Sequence, residues 1–170
     1  MTPPGSRWAD LGAGEGAFTL ALAEVLGPGG TITAVDRNAH ALKHLAASLR
    51  SEFPGTLLET MVADFTRPLQ VTGLDGVVLA NSLHFIRDAE KPTVLALVSG
   101  MLRPGGSLVL VEYGADRGNP WVPHPFSFPT WEELARSAGF VGTRLLATVP
   151  SRFLGSIYAA VSERPRQAGS

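Results

Sequence analysis

Trp8-Ala9-Asp10-Leu11-Gly12-Ala13-Gly14-Glu15-Gly16, running on into Ala17-Phe18-Thr19-Leu20-Ala21-Leu22-Ala23, decides how this chain folds. It reads as a short buried strand, a turn with glycine at every second position, and an amphipathic helix. Glycine suits a backbone that must turn tightly and let a ligand approach where a Cβ would collide. The helix start behind the turn leaves N–H groups free at the positive end of its dipole. Further on, Thr31-Ile32-Thr33-Ala34-Val35-Asp36 is a second strand closed by a carboxylate. An acidic side chain at the tip of the second strand of a βαβ unit is placed to accept hydrogen bonds from ribose hydroxyls. A ribose-bearing ligand is therefore expected.

Dinucleotide-binding turns carry glycines spaced G-x-G-x-x-G. Here the spacing is Gly12-x-Gly14-x-Gly16 with Asp10 just ahead of it, which suits a cationic ligand with a free amino group better than a pyrophosphate. Asp64, after Leu57-Leu58-Glu59-Thr60-Met61-Val62-Ala63, ends a third strand in the same way. On these residues the sequence resembles the class I S-adenosylmethionine-dependent methyltransferases, whose first motif has the form acidic-x-G-x-G-x-G. Further matches follow in order. Leu74 to Phe85 is similar to the family's fourth strand and following loop, and Leu102-Arg103-Pro104-Gly105-Gly106 to its L-x-P-G-G turn. Trp131 to Phe140 resembles its last helix and the turn before two closing strands. The matches span residues 8 to about 162.

The resemblance implies an α/β fold: a doubly wound, mostly parallel seven-stranded sheet with an antiparallel C-terminal strand. It implies S-adenosylmethionine as cofactor, held by Gly12, Gly14, Gly16, Asp36 with the adjoining Arg37, Asp64 with Phe65 against the adenine ring, and the backbone around Ala80 and Asn81. Asp10 has two readings, support of the turn or a partner for the methionine ammonium. His84 lies just past the fourth strand, where an acceptor approaches, and an imidazole titrating near neutrality can remove its proton. The competing reading is that Leu83-His84-Phe85 packs a short helical turn. Asp36 could instead cap the helix near Asn38, and Asp64 could start the turn ahead of Arg67-Pro68.

Length and composition bound the rest. At 170 residues with 45% hydrophobic residues, one methyltransferase domain over residues 1–162 is expected, with 163–170 a disordered tail. Charged residues make up 17%, below the usual share of about 25%, which favours self-association as a homodimer. A net charge of −1 and no basic block argue against nucleic acid. The absence of cysteine excludes disulfides, thiolate zinc sites and a cysteine nucleophile. No metal is expected: His40 and His44 fall on the face of their helix opposite Leu42, Leu45 and Leu49 and read as solvent residues. With no signal-type apolar run or transmembrane-length segment, a cytoplasmic protein acting on a small molecule is expected, without membrane contact.

Alternation predicts strands near 7–11, 31–36, 57–62, 75–80 and 106–112, with helices near 16–26, 39–51 and 89–102. A helix near 130–138 and strands near 140–148 and 153–162 follow. The family usually places a helical extension ahead of its first strand as a cover for the cofactor. The proline-rich stretch 114–129, with Trp121, Phe126 and Phe128, is the candidate substitute lid. Two other functions compete with methyl transfer: a non-catalytic S-adenosylmethionine-binding subunit, and a nucleotide-linked oxidoreductase. The glycine spacing and Asp10 disfavour the second.

Overall fold

Strand-length segments alternate with amphipathic helical ones along the chain. The computed structural model describes residues 5–166. In order it contains β1 (Arg7–Leu11), α1 (Ala17–Leu26), β2 (Thr31–Asp36), α2 (Ala39–Glu52), β3 (Leu57–Val62) and β4 (Leu74–Ala80). A one-turn 3-10 helix (Leu83–Phe85) leads to α3 (Lys91–Met101), β5 (Leu102–Tyr113), α4 (Phe128–Ser137), β6 (Val141–Pro150) and β7 (Ser156–Glu163). The strands form one sheet in the order β3-β2-β1-β4-β5-β7-β6, with β7 antiparallel to both neighbours.

Strand order reverses between β1 and β4, which pair in parallel register, as β1 does with β2 on its other side. A crevice opens at the carboxyl ends of the strands at such a point. One face of the sheet buries Leu11, Leu79, Leu83, Leu95 and Leu108 with Trp131 and Tyr158. The other packs Leu22, Ala23 and Leu26 of α1 and Leu49 of α2 over Ile32 and Val78. Gly76 exists for Trp8: a Cβ there would lie 2.4 Å from the indole.

Three expectations change. β5 begins at Leu102, four residues before the expected start, because Pro104-Gly105-Gly106 lies inside the ladder. Gly105 takes φ +76° there, with a register shift between Leu74 and Gly76 on the partner strand. The tail expected from 163 is ordered at its start. Glu163 closes β7, and Arg164 exchanges backbone hydrogen bonds with Gly105 and Gly106, while residues 167–170 lie outside the described residues.

The third change concerns 114–129. None of its residues lines the crevice cavity, and its aromatic anchor is core: Phe126 is buried beside the Trp131 ring. The Tyr158 hydroxyl donates to the Phe126 carbonyl at 3.1 Å. Lys91, at the start of α3, is fully buried with its ammonium 4.6 Å over the Phe126 ring. That ammonium donates to the His124 carbonyl at 2.7 Å and to Asp88. Apolar burial and a buried cation thus hold the stretch against α3 rather than over the crevice.

Candidate functional site

At the carboxyl ends of β1, β2 and β4 lies a cavity of about 690 Å³, a size usual for small-molecule sites. Six of the residues expected to bind a cofactor line it: Gly12, Asp36, Arg37, Asp64, Phe65 and Asn81. Asp10, Gly14, Gly16 and Ala80 do not, and their surroundings show why. Gly12 approaches the tip of β4 so closely that a Cβ would sit 2.7 Å from Ser82 Cβ. Gly14 donates its N–H to Asp36 Oδ2 at 2.8 Å. Gly16, at φ +91°, makes room for helix packing, since its Cβ would fall 2.1 Å from Leu45 Cδ1. The first glycine therefore lines the cavity, the second holds the Asp36 carboxylate, and the third seats α2. Ala80, last in β4, is buried among the core residues of the α1 face.

Asp36 does not cap α2. Asn38 does, its Oδ1 accepting from His40 N and Ala41 N at 3.1 Å each. Asp36 accepts one backbone N–H on each oxygen, from Gly14 and from Asn38 at 2.8 Å each. Each oxygen keeps a further acceptor direction for a ligand hydroxyl. Asp64 both starts a turn and lines the cavity. Its Oδ1 accepts from the Thr66 hydroxyl and N–H at 2.7 and 2.9 Å. The Thr66 hydroxyl above all, with its N–H and the Arg37 and Arg67 guanidinium groups, holds the Asp64 carboxyl below the usual carboxylate range.

Asp10 is buried directly behind the turn and accepts the Thr19 hydroxyl at 2.6 Å. Burial pushes its carboxyl from 3.8 up to about 6; the Thr19 bond opposes that and the Asp36 charge adds to it. A carboxyl raised on folding stabilises the native state fully below its unfolded value and loses that contribution as pH rises through its folded value. The unliganded chain should thus lose on the order of 3 kcal/mol from this group between pH 4 and pH 7. Asp10→Asn, which keeps an acceptor for Thr19, should gain about that much relative to the native sequence over the same interval. Urea unfolding at both pH values checks this, and a pH-independent difference between the two chains would refute it.

Asn81 carries two marks of a ligand position. It adopts φ +51°, the single non-glycine residue with positive φ among the described residues, and its buried Oδ1 has no protein partner there. Strain and an orphaned acceptor together indicate a site completed by something else. Of the cavity's charges, Asp36, Asp64 and Glu90 outnumber Arg37 and Arg67, which suits a ligand with net positive charge. Ser82, Arg67, Phe85 and Glu90 also line the cavity, with no local pattern in the sequence to mark them. They come from loops and the one-turn helix after β4, whose path no periodicity records.

His84 is buried, and its Nδ1 lies 2.8 Å from Glu112 Oε2. Glu112, fully buried in β5, also accepts Leu83 N and His84 N on Oε1 at 2.9 and 3.1 Å, and Tyr113 N on Oε2 at 3.3 Å. The carboxylate therefore holds the turn after β4 and orients the imidazole. With Nδ1 donating to Glu112, Nε2 is the basic ring atom. His84 does not itself line the cavity, although Ser82 and Phe85 on either side of it do.

Residues 9–106, more than half of the chain, match the family described as "Methyltransferase domain". The chain belongs to this S-adenosylmethionine-dependent methyltransferase family. Among curated relatives, the methyltransferase domain is similar to the carboxy-S-adenosyl-L-methionine synthase of Aeromonas hydrophila, 34% identical over 113 residues. That match covers 64% of this chain and 44% of the relative, so the chain spans less than half the length of such relatives. A Methanosarcina mazei S-adenosylmethionine-dependent methyltransferase shares the fold at TM-score 0.76 and 17% identity, covering 98% of this chain and 95% of that one. The Burkholderia thailandensis 1,6-didemethyltoxoflavin-N1-methyltransferase, solved with 1,6-didemethyltoxoflavin and S-adenosylhomocysteine, also gives 0.76 at 20% identity. That match covers 95% of this chain and 72% of that one. No helix among the described residues is long and apolar enough to cross a membrane.

Proposed function

We propose that this methyltransferase domain holds S-adenosylmethionine in the 690 Å³ cavity and directs its methyl group to a small-molecule acceptor. The observation that carries the reading is Asp36. It is clamped by two backbone N–H groups and faces a cavity completed by a glycine with no room for a Cβ and an orphaned Asn81 carbonyl. Those residues fit the cofactor: Asp36 and Arg37 at the ribose, Asp64 and Phe65 at the adenine, Asn81 toward the ammonium. Gly14, Gly16 and Ala80 act behind them by shaping the turn and strand tip. Asp10 supplies negative potential from beneath the turn.

When bound, S-adenosylmethionine supplies a methyl group already activated by its sulfonium. The protein's own work is then positioning and exclusion of water. Gly12 and Ser82 bring the tips of β1 and β4 together, and Asn81 fixes the wall between them. His84 Nε2, with its tautomer set by Glu112, is the base for an acceptor that must lose a proton.

The test is transfer of labelled methyl from S-adenosylmethionine into fractionated cell extract by the purified chain. Label should enter the small-molecule fraction and not protein or nucleic acid. Cofactor binding with no label in any fraction would replace this reading with a non-catalytic binding subunit. Cytoplasmic location, a homodimer and a single domain over 1–162 complete the proposal. The low charge share supports the homodimer.

A further inference from the structure

We propose that His40 and His44 form a two-imidazole chelate for a divalent transition-metal ion of the copper, nickel or zinc kind, on the exposed face of α2. Residues four apart on a helix stand on one face, one turn above the other. Here both side chains are exposed, their ring centroids are 4.4 Å apart, and their planes are tilted by 54°. The atoms that approach each other are the two Nε2 atoms, 3.3 Å apart. Two metal–imidazole bonds of about 2.0–2.1 Å meeting at a near-tetrahedral angle separate their nitrogens by about 3.3–3.4 Å. The pair already has the spacing of neighbouring ligands on one metal ion.

Without metal, the same approach accommodates a single N–H donated from one ring to the other. In the chelate both rings carry their proton on Nδ1 and both Nε2 lone pairs go to the ion, so no proton is gained or lost by neutral rings. The helix start is the positive end of its dipole and repels cations. Affinity must therefore come from the donor nitrogens, which selects borderline metals and rejects magnesium and calcium, whose preferred ligands are oxygens. Among the described residues no group of three or more His, Cys, Asp or Glu side chains is arranged for a metal. The remaining coordination positions would be filled by water or small anions.

The location gives the site a structural neighbour. Asn38 accepts the His40 N–H and donates its own N–H to Asp36 Oδ1. A metal clip across His40 and His44 thus stiffens the helical turns whose cap braces Asp36. This inference does not depend on the methyltransferase reading.

The experiment titrates the purified chain with Cu²⁺ and, separately, Zn²⁺ and Mg²⁺ in a non-coordinating buffer, by calorimetry and, for copper, electron paramagnetic resonance. One equivalent of copper should bind with coupling to two nitrogen nuclei, zinc should bind more weakly, and magnesium should not bind. His40→Ala or His44→Ala should each weaken copper binding by about tenfold or more, and the double variant should abolish it. His124→Ala should change nothing. Both histidines are exposed, so circular dichroism should show the variants folded. Copper binding that survives in the double variant, or no saturable binding by the native chain, would overturn the proposal.

Discussion

Asp36→Ala is expected to weaken S-adenosylmethionine binding by at least about a hundredfold. Each charge-assisted hydrogen bond from a ribose hydroxyl to this carboxylate contributes about 1.5–3 kcal/mol, and a tenfold loss in affinity corresponds to about 1.4 kcal/mol. The sequence alone suggests that the unliganded protein would not notice the change. The structure says otherwise, because Gly14 N and Asn38 N each lose their acceptor. A drop of a few degrees in melting temperature should accompany the affinity loss. Asp36→Asn separates the two effects, since it keeps one carbonyl acceptor and the size of the side chain while losing the charge. Calorimetry on both variants checks the ordering: native tightest, Asn intermediate, Ala weakest. Equal affinity in all three would remove Asp36 from the binding site.

The largest stability effect is expected at Glu112. Glu112→Ala strips the acceptor from three backbone N–H groups and from the His84 ring in a dry environment. A loss of about 3–5 kcal/mol by urea unfolding follows from leaving a buried network without its charged partner. Glu112→Gln is the more informative change. Its carbonyl still accepts from Leu83 N and His84 N, but its amide turns donor hydrogens toward His84 Nδ1. The imidazole must then accept on Nδ1 and carry its proton on Nε2, which removes the base while leaving the turn largely held. If His84 takes a proton from the acceptor, methyl transfer should fall by about a hundredfold or more, with cofactor affinity unchanged. Activity that merely tracks the smaller stability loss would make the dyad a brace for the β4 turn and nothing more.

The β1–turn–α1 unit and the carboxylates at the ends of β2 and β3 were legible in the sequence because each is a local pattern. Alternating glycines, a strand-length apolar run and a terminal acid sit within a few residues of one another. The cavity walls from Ser82, Phe85, Arg67 and Glu90 were not, because loops and a one-turn helix bring them together from three separate stretches. Residues 114–129 show the limit of composition. Trp121, 77% exposed, and Phe126, 2% exposed, read alike in a proline-rich segment, and only the pocket formed by Lys91, Trp131 and Tyr158 distinguishes them. Lys91 carries a charge at a helix start, yet it is buried on a carbonyl and an aromatic face contributed by residues 33 and 35 positions away. Glu112 sits near the end of β5, but its four hydrogen bonds depend on β5 lying beside β4. Such pairing is a property of the sheet and not of either strand's sequence.

The glycine turn and the carboxylates at this crevice fit S-adenosylmethionine and not a dinucleotide. Calorimetry of the unmodified chain with S-adenosylmethionine, S-adenosylhomocysteine and NAD tests this most directly. One site per chain is expected for the first two, and no measurable binding of the third. Tight NAD binding, with none for S-adenosylmethionine or S-adenosylhomocysteine, would contradict it.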